Sequence, residues 1–349
     1  MAKVLSLFSG SLASRVATRL VERQPGVEEV YLLHFRSPFA RECDHMRRFV
    51  QQEWPGVSFR TQSLKREYRD LIGLSGESFS LPRSCINCRK LLLTRAVRYM
   101  ERIGADLIVT GEVVGRHDLW GGELAEIAES VGLGGRILRP LCSPEPASGV
   151  DDLSEWMDPR GGPRLSAEDV EGLAEGLGMD PSDPLAAQNR CKLTTPGFGD
   201  RVADLFCESG FTLNELRLLD FPIYYAIYPN IKIVVAIDGG EKGRLQNLFL
   251  PQDLRVYPAT PHGPMTLVRT DWDKKSDFAR ERIIKLASRI TATHADGRPG
   301  VPVPVYYRFE SEDEKWLLNV LPFDSPEDVC ALKAVRVVPL ELHRVSALK

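Results

Sequence analysis

Residues 4–20 read VLSLFSGSLASRVATRL, and this stretch decides the fold of the N-terminal half of the chain. Its apolar beginning, residues 4–8, is typical of a buried β-strand, and Ser9, Gly10 and Ser11 form a tight loop. The apolar residues that follow recur at helical spacing, at Leu12, Val16 and Leu20. The stretch therefore predicts a strand, a turn and an amphipathic helix, which together open an α/β unit.

The same alternation continues through the first 112 residues. We predict strands at 30–35 and 57–62, helices near 40–54 and 90–103, and a further strand with its exit turn at 105–112. Parallel strands need crossover connections, so this order predicts a doubly wound parallel sheet. Ligands bind such sheets at the carboxyl ends of the strands, where Ser9–Ser14 and Thr110–Glu112 are expected.

Composition divides the chain into three parts. Residues 1–142 form the predicted α/β domain, and the Pro- and Gly-rich start of 143–219 indicates a linker region, which also contains Cys191. Residues 220–349 predict a smaller α+β domain. Its expected elements are strands at 231–237, 303–309 and 335–342, a turn at 238–240 and a helix at 274–291.

Three of the seven cysteines form a pattern that suits a metal centre. Cys85 and Cys88 make a C-x-x-C pair, expected in a turn, and Cys191 is a distant third. Structural zinc needs four ligands, so three thiolates leave a position open for chemistry at sulfur or iron. A reduced C-x-x-C pair with a structural or redox role is the alternative. The odd number of cysteines in a chain of this size favours reduced thiols and a cytoplasmic protein.

Charge is unevenly distributed. The net charge is −3, but residues 36–102 contain fourteen Lys and Arg against seven Asp and Glu. This excess would suit contact with a phosphate backbone, and solvated helix faces are an equal alternative. No eighteen-residue apolar stretch occurs, so no membrane segment is expected.

Six segments, taken in order, carry a resemblance to a known family. They are Phe8-Ser9-Gly10-Ser11-Leu12-Ala13-Ser14, His34-Phe35-Arg36-Ser37-Pro38-Phe39, Cys85-x-x-Cys88, Thr110-Gly111-Glu112-Val113-Val114-Gly115, Leu138-Arg139-Pro140-Leu141 and Cys191-Lys192-Leu193-Thr194. The chain resembles the PP-loop ATP pyrophosphatase superfamily, whose fold is called adenine nucleotide alpha hydrolase-like. The most similar branch is that of the tRNA thiolases, relatives of tRNA 2-thiouridylases and 4-thiouridine synthetases, with an extra C-terminal domain.

The resemblance implies a sulfur transferase that adenylates a uridine with ATP and Mg²⁺ and then delivers sulfur. Cys85, Cys88 and Cys191 would be the catalytic centre and the ligands of a [4Fe-4S] cluster, with zinc as the alternative in protein isolated aerobically. Sulfur would come from a donor protein or inorganic sulfide. Two loops would hold the nucleotide, through Ser9, Gly10, Ser11 and Ser14 in the first and Thr110, Gly111 and Glu112 in the second.

The first loop departs from the family pattern at two positions. Ser11 replaces a glycine, which adds a Cβ where backbone should approach phosphate, and Ala13 replaces an aspartate that helps organise magnesium. Glu112 and Asp118 are candidates for a substitute carboxylate. A second function therefore stays open: a degenerate relative that no longer adenylates and serves as a cluster or sulfur carrier, a partner subunit or a binding module.

Overall fold

The computed structural model describes residues 1–40, 46–64, 81–144, 150, 152–183, 191–206, 212–295 and 300–339. The chain divides into two units, Met1–Thr195 and Pro196–Lys349. The segment 143–219 is thus shared between the units, and Cys191 belongs to the first. Within the described ranges, none of the helices combines the length and apolarity that crossing a membrane requires.

A five-stranded parallel sheet forms the centre of the first unit. Its strands are β1 (Ala2–Leu7), β2 (Val27–Arg36), β3 (Ser58–Ser63), β4 (Leu107–Val109) and β5 (Ile137–Leu138). They lie in the order β3-β2-β1-β4-β5, and every neighbouring pair is parallel. The parallel sheet predicted from the alternation of strands and helices is therefore confirmed.

Helices cover both faces of this sheet. They are α1 (Leu12–Glu22), α2 (Met46–Glu53), α3 (Leu81–Ile103), α4 (Gly121–Ser130) and α5 (Ala167–Gly176). Successive strand residues point to opposite faces. In β1, Val4 packs in one core cluster with residues of α1, α2 and α5, whereas Leu5 packs in another with residues of α3 and α4.

Two sequence predictions about this unit are wrong in detail. The C-x-x-C pair lies within α3 and not in a turn, because that helix begins at Leu81, well before the expected residue 90. Pro82 falls in the first turn, where a missing N–H is tolerated, and no glycine follows it within the helix. Ala40 is not helical, since it pairs with Cys191 in an isolated β-bridge; residues 41–45 lie outside the described part of the chain.

The strand order brings two loops together at the carboxyl edge of the sheet. β1 lies between β2 and β4, so the chain leaves β1 toward one side of the sheet while β4 lies on the other. This is the topological switch point at which open α/β sheets bind ligands. The loops concerned are the one between β1 and α1 and the one that follows β4.

The second unit is built on a seven-stranded antiparallel sheet. Its strands are β6 (Ile223–Ile227), β7 (Ile231–Ala236), β8 (Leu254–Pro258), β9 (Met265–Arg269), β10 (Val303–Phe309), β11 (Trp316–Val320) and β12 (Val335–Val337), in the order β11-β10-β8-β9-β7-β6-β12. Its helices are α6 (Phe198–Phe206), α7 (Leu213–Leu218), α8 (Gly239–Gln246), α9 (Asp277–Thr293) and α10 (Pro326–Cys330). The expected C-terminal α+β domain is present.

Two elements of this unit differ from the sequence prediction. The turn expected at 238–240 is the start of α8, because the Asp238 side chain accepts a hydrogen bond from the Glu241 N–H and caps the helix. The strand expected at 335–342 ends at Val337, and residues beyond 339 lie outside the described ranges.

Candidate metal centre and nucleotide loop

Three elements of the first unit position the three cysteines. Cys85 and Cys88 are three residues apart on α3, which places their side chains on one face of the helix. Cys191 precedes a short 3-10 turn, Lys192–Thr194. The Lys192 N–H donates to the Phe39 carbonyl at 2.7 Å, which ties Cys191 to the segment after β2.

Neighbouring thiols influence the pKa values of Cys88 and Cys191. Burial raises the pKa of Cys88 to about 12, and the nearby Cys191 and Cys85 contribute to the same rise. Burial also raises the pKa of Cys191, with a further contribution from Cys85. Charges influence a pKa in this way only at short range, so the structure brings the three predicted cysteines into one region.

The spacing of these thiols bears on the kind of metal centre. Among the residues that the structure describes, no three His, Cys, Asp or Glu side chains form a group that could hold one metal ion. A single zinc ion draws its sulfur ligands to about 2.3 Å from the metal. An iron–sulfur cluster instead binds its cysteines through different iron atoms and accepts a wider spacing. Thiolates are the ligands that hold iron–sulfur clusters, so these three cysteines have the donor chemistry of the expected centre.

Glu112, in the loop after β4, lies between two arginines, with 11% of its side chain exposed. Arg139 Nε donates to Glu112 Oε2 at 2.8 Å, and Arg89 Nε donates to Oε1 at 3.0 Å. The Thr110 hydroxyl also donates to Oε2, at 3.1 Å. Burial by itself would raise the pKa of Glu112, but the charges of Arg139 and Arg89 hold it below its usual value. Both carboxylate oxygens are thus engaged, and binding Mg²⁺ through Glu112 would require breaking these pairs.

The loop between β1 and α1 has the strand–turn–helix shape expected of a phosphate site. Gly10 has a φ of 82°, a left-handed conformation that favours glycine. Ser11 caps α1, and its hydroxyl accepts from the Ser14 N–H. The Ser9 hydroxyl lies 2.9 Å from that of Ser11 and 3.1 Å from that of Ser14. Three hydroxyl groups therefore cluster at the N-terminus of α1, the end of a helix that attracts anions.

The loop after β4, which contains Thr110, Gly111 and Glu112, is in contact with the loop between β1 and α1. A Cβ added to Gly111 would lie 2.5 Å from the Ser14 backbone nitrogen, so only glycine allows the two backbones to approach so closely. Ala13, which stands where the family has an aspartate, is buried in the core cluster with α2 and α5. Asp118, the other proposed carboxylate, is exposed and close enough to raise the pKa of Cys85, although burial is the main cause of that rise.

Arg139 is a site residue to which the sequence analysis gave no role. It follows β5, is buried, and its Nη2 donates to the Leu124 carbonyl at 3.0 Å. An arginine placed between Leu138 and Pro140 in an apolar stretch is itself a signal, because buried arginines are almost always paired. The sequence alone did not identify Glu112 as the partner.

The basic segment 36–102 is only partly described. Arg47 and Arg48 are exposed on α2, Arg60 is exposed on β3 and Arg98 is exposed on α3. Lys65 and Arg66 lie outside the described residues. Arg89 faces Glu112, so it is part of the site and not of the solvated surface.

Comparison with protein-family models finds no match, and comparison with curated proteins finds none. Among solved structures, the chain is similar to the C-terminal part of the fibronectin/fibrinogen-binding protein from Streptococcus suis, with 14% identity over 45% of this chain and 74% of that chain and a TM-score of 0.26. It is also similar to a predicted subunit of tRNA methyltransferase from Methanocaldococcus jannaschii, with 11% identity over 52% and 90% of the two chains and a TM-score of 0.29. At these TM-scores neither likeness carries an argument.

Proposed function

We propose that the protein is a sulfur transferase of the PP-loop ATP pyrophosphatase type, similar to the tRNA thiolases, with Cys85, Cys88 and Cys191 as ligands of a [4Fe-4S] cluster. The observation that carries the proposal is the placement of Cys85 and Cys88 on one face of α3, with Cys191 near enough to raise the pKa of Cys88. Cys85 also packs in one cluster with Val114, in the loop after β4. The thiols and the nucleotide loop are thus neighbours.

The chain's own residues have defined tasks in this proposal. The N-terminus of α1 and the hydroxyl groups of Ser9, Ser11 and Ser14 are suited to bind phosphate. The buried thiols would lose their protons as the metal binds, because thiolates are the ligands. Once bound, a cluster with three cysteine ligands offers one iron atom without a protein ligand, where sulfur chemistry can occur.

Anaerobic purification of the full chain tests the cluster. We expect about four iron atoms per chain and visible absorption of an iron–sulfur centre. Cys85→Ser, Cys88→Ser and Cys191→Ser should each lose most of the iron. Cys330→Ser, in the second unit, is the matched control and should keep it. Iron contents that are equal in all four variants, or an unmodified chain that takes up no iron, would contradict the proposal.

The second candidate is a cluster or sulfur carrier that no longer adenylates. Two observations favour it: Ala13 presents a buried methyl group at the family's aspartate position, and the Glu112 carboxylate is already held by arginines. Titration of the iron-loaded protein with Mg-ATP separates the two candidates. ATP binding with pyrophosphate release on addition of tRNA supports the transferase, whereas an intact cluster with no ATP binding supports the carrier.

The substrate and the source of sulfur follow from the same proposal. The exposed cations of α2, β3 and α3 support tRNA as the substrate, since they would lie against phosphates. A donor protein or inorganic sulfide would supply the sulfur. Transfer of sulfur from labelled sulfide to unfractionated tRNA by the anaerobic protein in the presence of Mg-ATP, with AMP as the leaving group, is the direct assay, and Cys191→Ser is the inactive control.

A further inference from the structure

Trp120 is an exposed aromatic residue at the end of the loop after β4. It directly precedes α4, and 51% of its side chain is exposed, whereas Trp54, Trp156 and Trp272 are buried. Its backbone N–H donates to Glu123 Oε2 at 3.0 Å, which fixes Trp120 at the start of the helix. The indole is therefore held in solvent at the carboxyl edge of the parallel sheet, where such sheets bind ligands.

Arg164 lies over this indole at a distance greater than that of direct stacking. Its Cζ is 6.0 Å from the centre of the Trp120 ring. In the second unit, the Cζ of Arg289 is 3.9 Å from the centre of the Phe323 ring, which is the spacing of direct contact. A flat base between indole and guanidinium would need about 7 Å, which is two contacts of about 3.5 Å. A shift of about 1 Å in the exposed Arg164 side chain would therefore admit one base.

The backbone of the loop holds Arg164 in this position. The Gly115 N–H donates to the Leu119 carbonyl at 2.8 Å, which brings the two ends of the segment together next to Trp120. Gly115 has a φ of 79°, and a Cβ added there would lie 3.1 Å from Arg164 Cδ. The aliphatic part of Arg164 thus packs on Gly115 while its guanidinium lies over the indole. Leu119 packs in one cluster with Cys85, so the indole adjoins the candidate site.

The two segments that carry Trp120 and Arg164 contain as many anions as cations. In residues 115–123 and 158–164, the charged side chains are those of Arg116, Arg160 and Arg164 and of Asp118, Glu123 and Asp158. Arg160 Nε donates to Asp158 Oδ1 at 2.9 Å, and the Glu123 carboxylate accepts from the backbone of Trp120. Attraction of phosphates would therefore add little here, and stacking would supply the affinity.

We propose that Trp120 and Arg164 form a stacking site for one unpaired base of RNA, which lies between the indole and the guanidinium. The inference rests on the proposed function for the identity of its occupant, because tRNA is the substrate there, but it needs no metal centre. A uridine whose carbonyl is to be modified must be unpaired and out of the helical stack. Aromatic rings and arginine planes are the groups on which such bases stack in RNA-binding proteins.

Binding of a short single-stranded oligouridine to the full chain tests the site, measured by fluorescence anisotropy of the labelled RNA. Trp120→Leu should weaken binding about 5- to 150-fold, the usual effect of losing one stack between a base and an aromatic ring. Trp120→Phe keeps a flat ring and should retain most of the affinity. Trp316→Leu is the matched control: it removes a tryptophan that is 50% exposed in the second unit, and it should bind as the unmodified chain does.

Three further comparisons distinguish stacking from attraction between charges. Stacking releases no counterions, so the ratio of the affinities of the unmodified chain and Trp120→Leu should be the same at 50 and 200 mM salt. Arg164→Lys keeps the charge but loses the planar guanidinium, so it should also weaken binding. A duplex of oligouridine with oligoadenosine should bind less tightly than the single strand, because its bases are already stacked on one another.

Weaker binding by Trp120→Leu and Arg164→Lys, with Trp316→Leu unchanged and all melting temperatures equal, supports the inference. Unchanged affinity in either site variant, or a loss that only follows a lower melting temperature, would overturn it. An unmodified chain that binds no oligouridine would also overturn it and leave the exposed indole to a protein partner. ATP binding that depends on Trp120 where RNA binding does not would assign the site to adenine instead. These results are independent of the iron contents of the cysteine variants, which test the proposed function separately.

Discussion

Gly111 and Ser14 are in backbone contact across the carboxyl edge of the parallel sheet. A Cβ on Gly111 would lie 2.5 Å from the Ser14 nitrogen and 2.6 Å from its Cα. The loop after β4 therefore rests on the first turn of α1. Side chains of both segments, the Ser14 hydroxyl and the Glu112 carboxylate among them, are placed relative to each other by this contact.

Gly111→Ala should separate the two segments. Because the clash is with backbone, no side-chain rotation relieves it, and we expect a loss of about 1–3 kcal/mol in the free energy of unfolding. Gly172→Ala is the control: it lies inside α5 with nothing within 4 Å, and should stabilise by about 0.5–1 kcal/mol. Denaturant unfolding measures both. A Gly111→Ala protein as stable as the unmodified one would mean that the segments do not touch.

Stability of the first unit should depend on pH through His34. Burial lowers the pKa of His34, the bond to the Phe8 carbonyl partly opposes this, and Arg36 lowers it further. The folded state therefore keeps a neutral imidazole, while the unfolded chain takes up a proton near pH 6.5. The contribution of neutral His34 to the free energy of unfolding is therefore fully present above pH 6.5. It is lost as the pH falls from that value toward the lower pKa of the folded state.

His34→Asn tests this assignment, because the amide can still donate to the Phe8 carbonyl but does not titrate. Amide hydrogen exchange of β1 and β2, measured between pH 5 and 7.5 and corrected for the intrinsic exchange rate, should show protection that weakens at low pH in the unmodified protein. The weakening should be smaller in His34→Asn. Equal pH dependence in both proteins would assign the effect to other groups.

The sequence predicted the strands and helices that are determined by residues close together in the chain. The strand β1 and the helix α1 follow from apolar spacing, and the parallel sheet follows from the order of such segments. The start of α8 shows where local reasoning stops. Asp238-Gly239-Gly240 suits a turn and a helix N-terminus equally well, and only the chain that follows decides between them.

The sequence predicted those residues of the site that form a local pattern, and it missed the contacts that depend on tertiary packing. Cys85, Cys88 and Cys191 were found because thiols are rare and their spacing is distinctive. The pairing of Glu112 with Arg89 and Arg139, 23 and 27 positions away, left no such trace, because charged residues are common and a buried ion pair depends on tertiary packing. The sequence also could not predict that Ala13 is buried, since alanine occurs on both the buried and the exposed faces of helices.

Binding of tRNA should depend steeply on salt if the basic segment contacts phosphates. Arg47→Gln together with Arg48→Gln removes two exposed cations from α2. The slope of log affinity against log salt should decrease by about one for each phosphate that the variant no longer neutralises. Lys274→Gln with Lys285→Gln, exposed in the second unit, provides the matched control. Filter binding between 50 and 200 mM salt measures the slopes, and an unchanged slope in the α2 variant would place the tRNA-binding surface elsewhere.

Binding of Mg-ATP by the unmodified chain should be weak, because the residue that organises magnesium in the family is replaced by the buried methyl group of Ala13. Ser11→Gly with Ala13→Asp restores the family pattern and should strengthen ATP binding only when magnesium is present, since the carboxylate acts through the metal. Ala13→Asn, similar in size but uncharged, should do much less.

This restoration should also reduce stability in the absence of nucleotide. Ser11 caps α1, so its replacement by glycine costs a few tenths of a kcal/mol, and a carboxylate at the buried position 13 must lose water. Bound Mg-ATP should return part of that loss, since a ligand that binds only the folded state raises its stability. Calorimetric titration and melting curves with and without Mg-ATP measure both effects. Tight, magnesium-dependent binding by the unmodified chain would contradict the prediction and favour the adenylating transferase over the carrier.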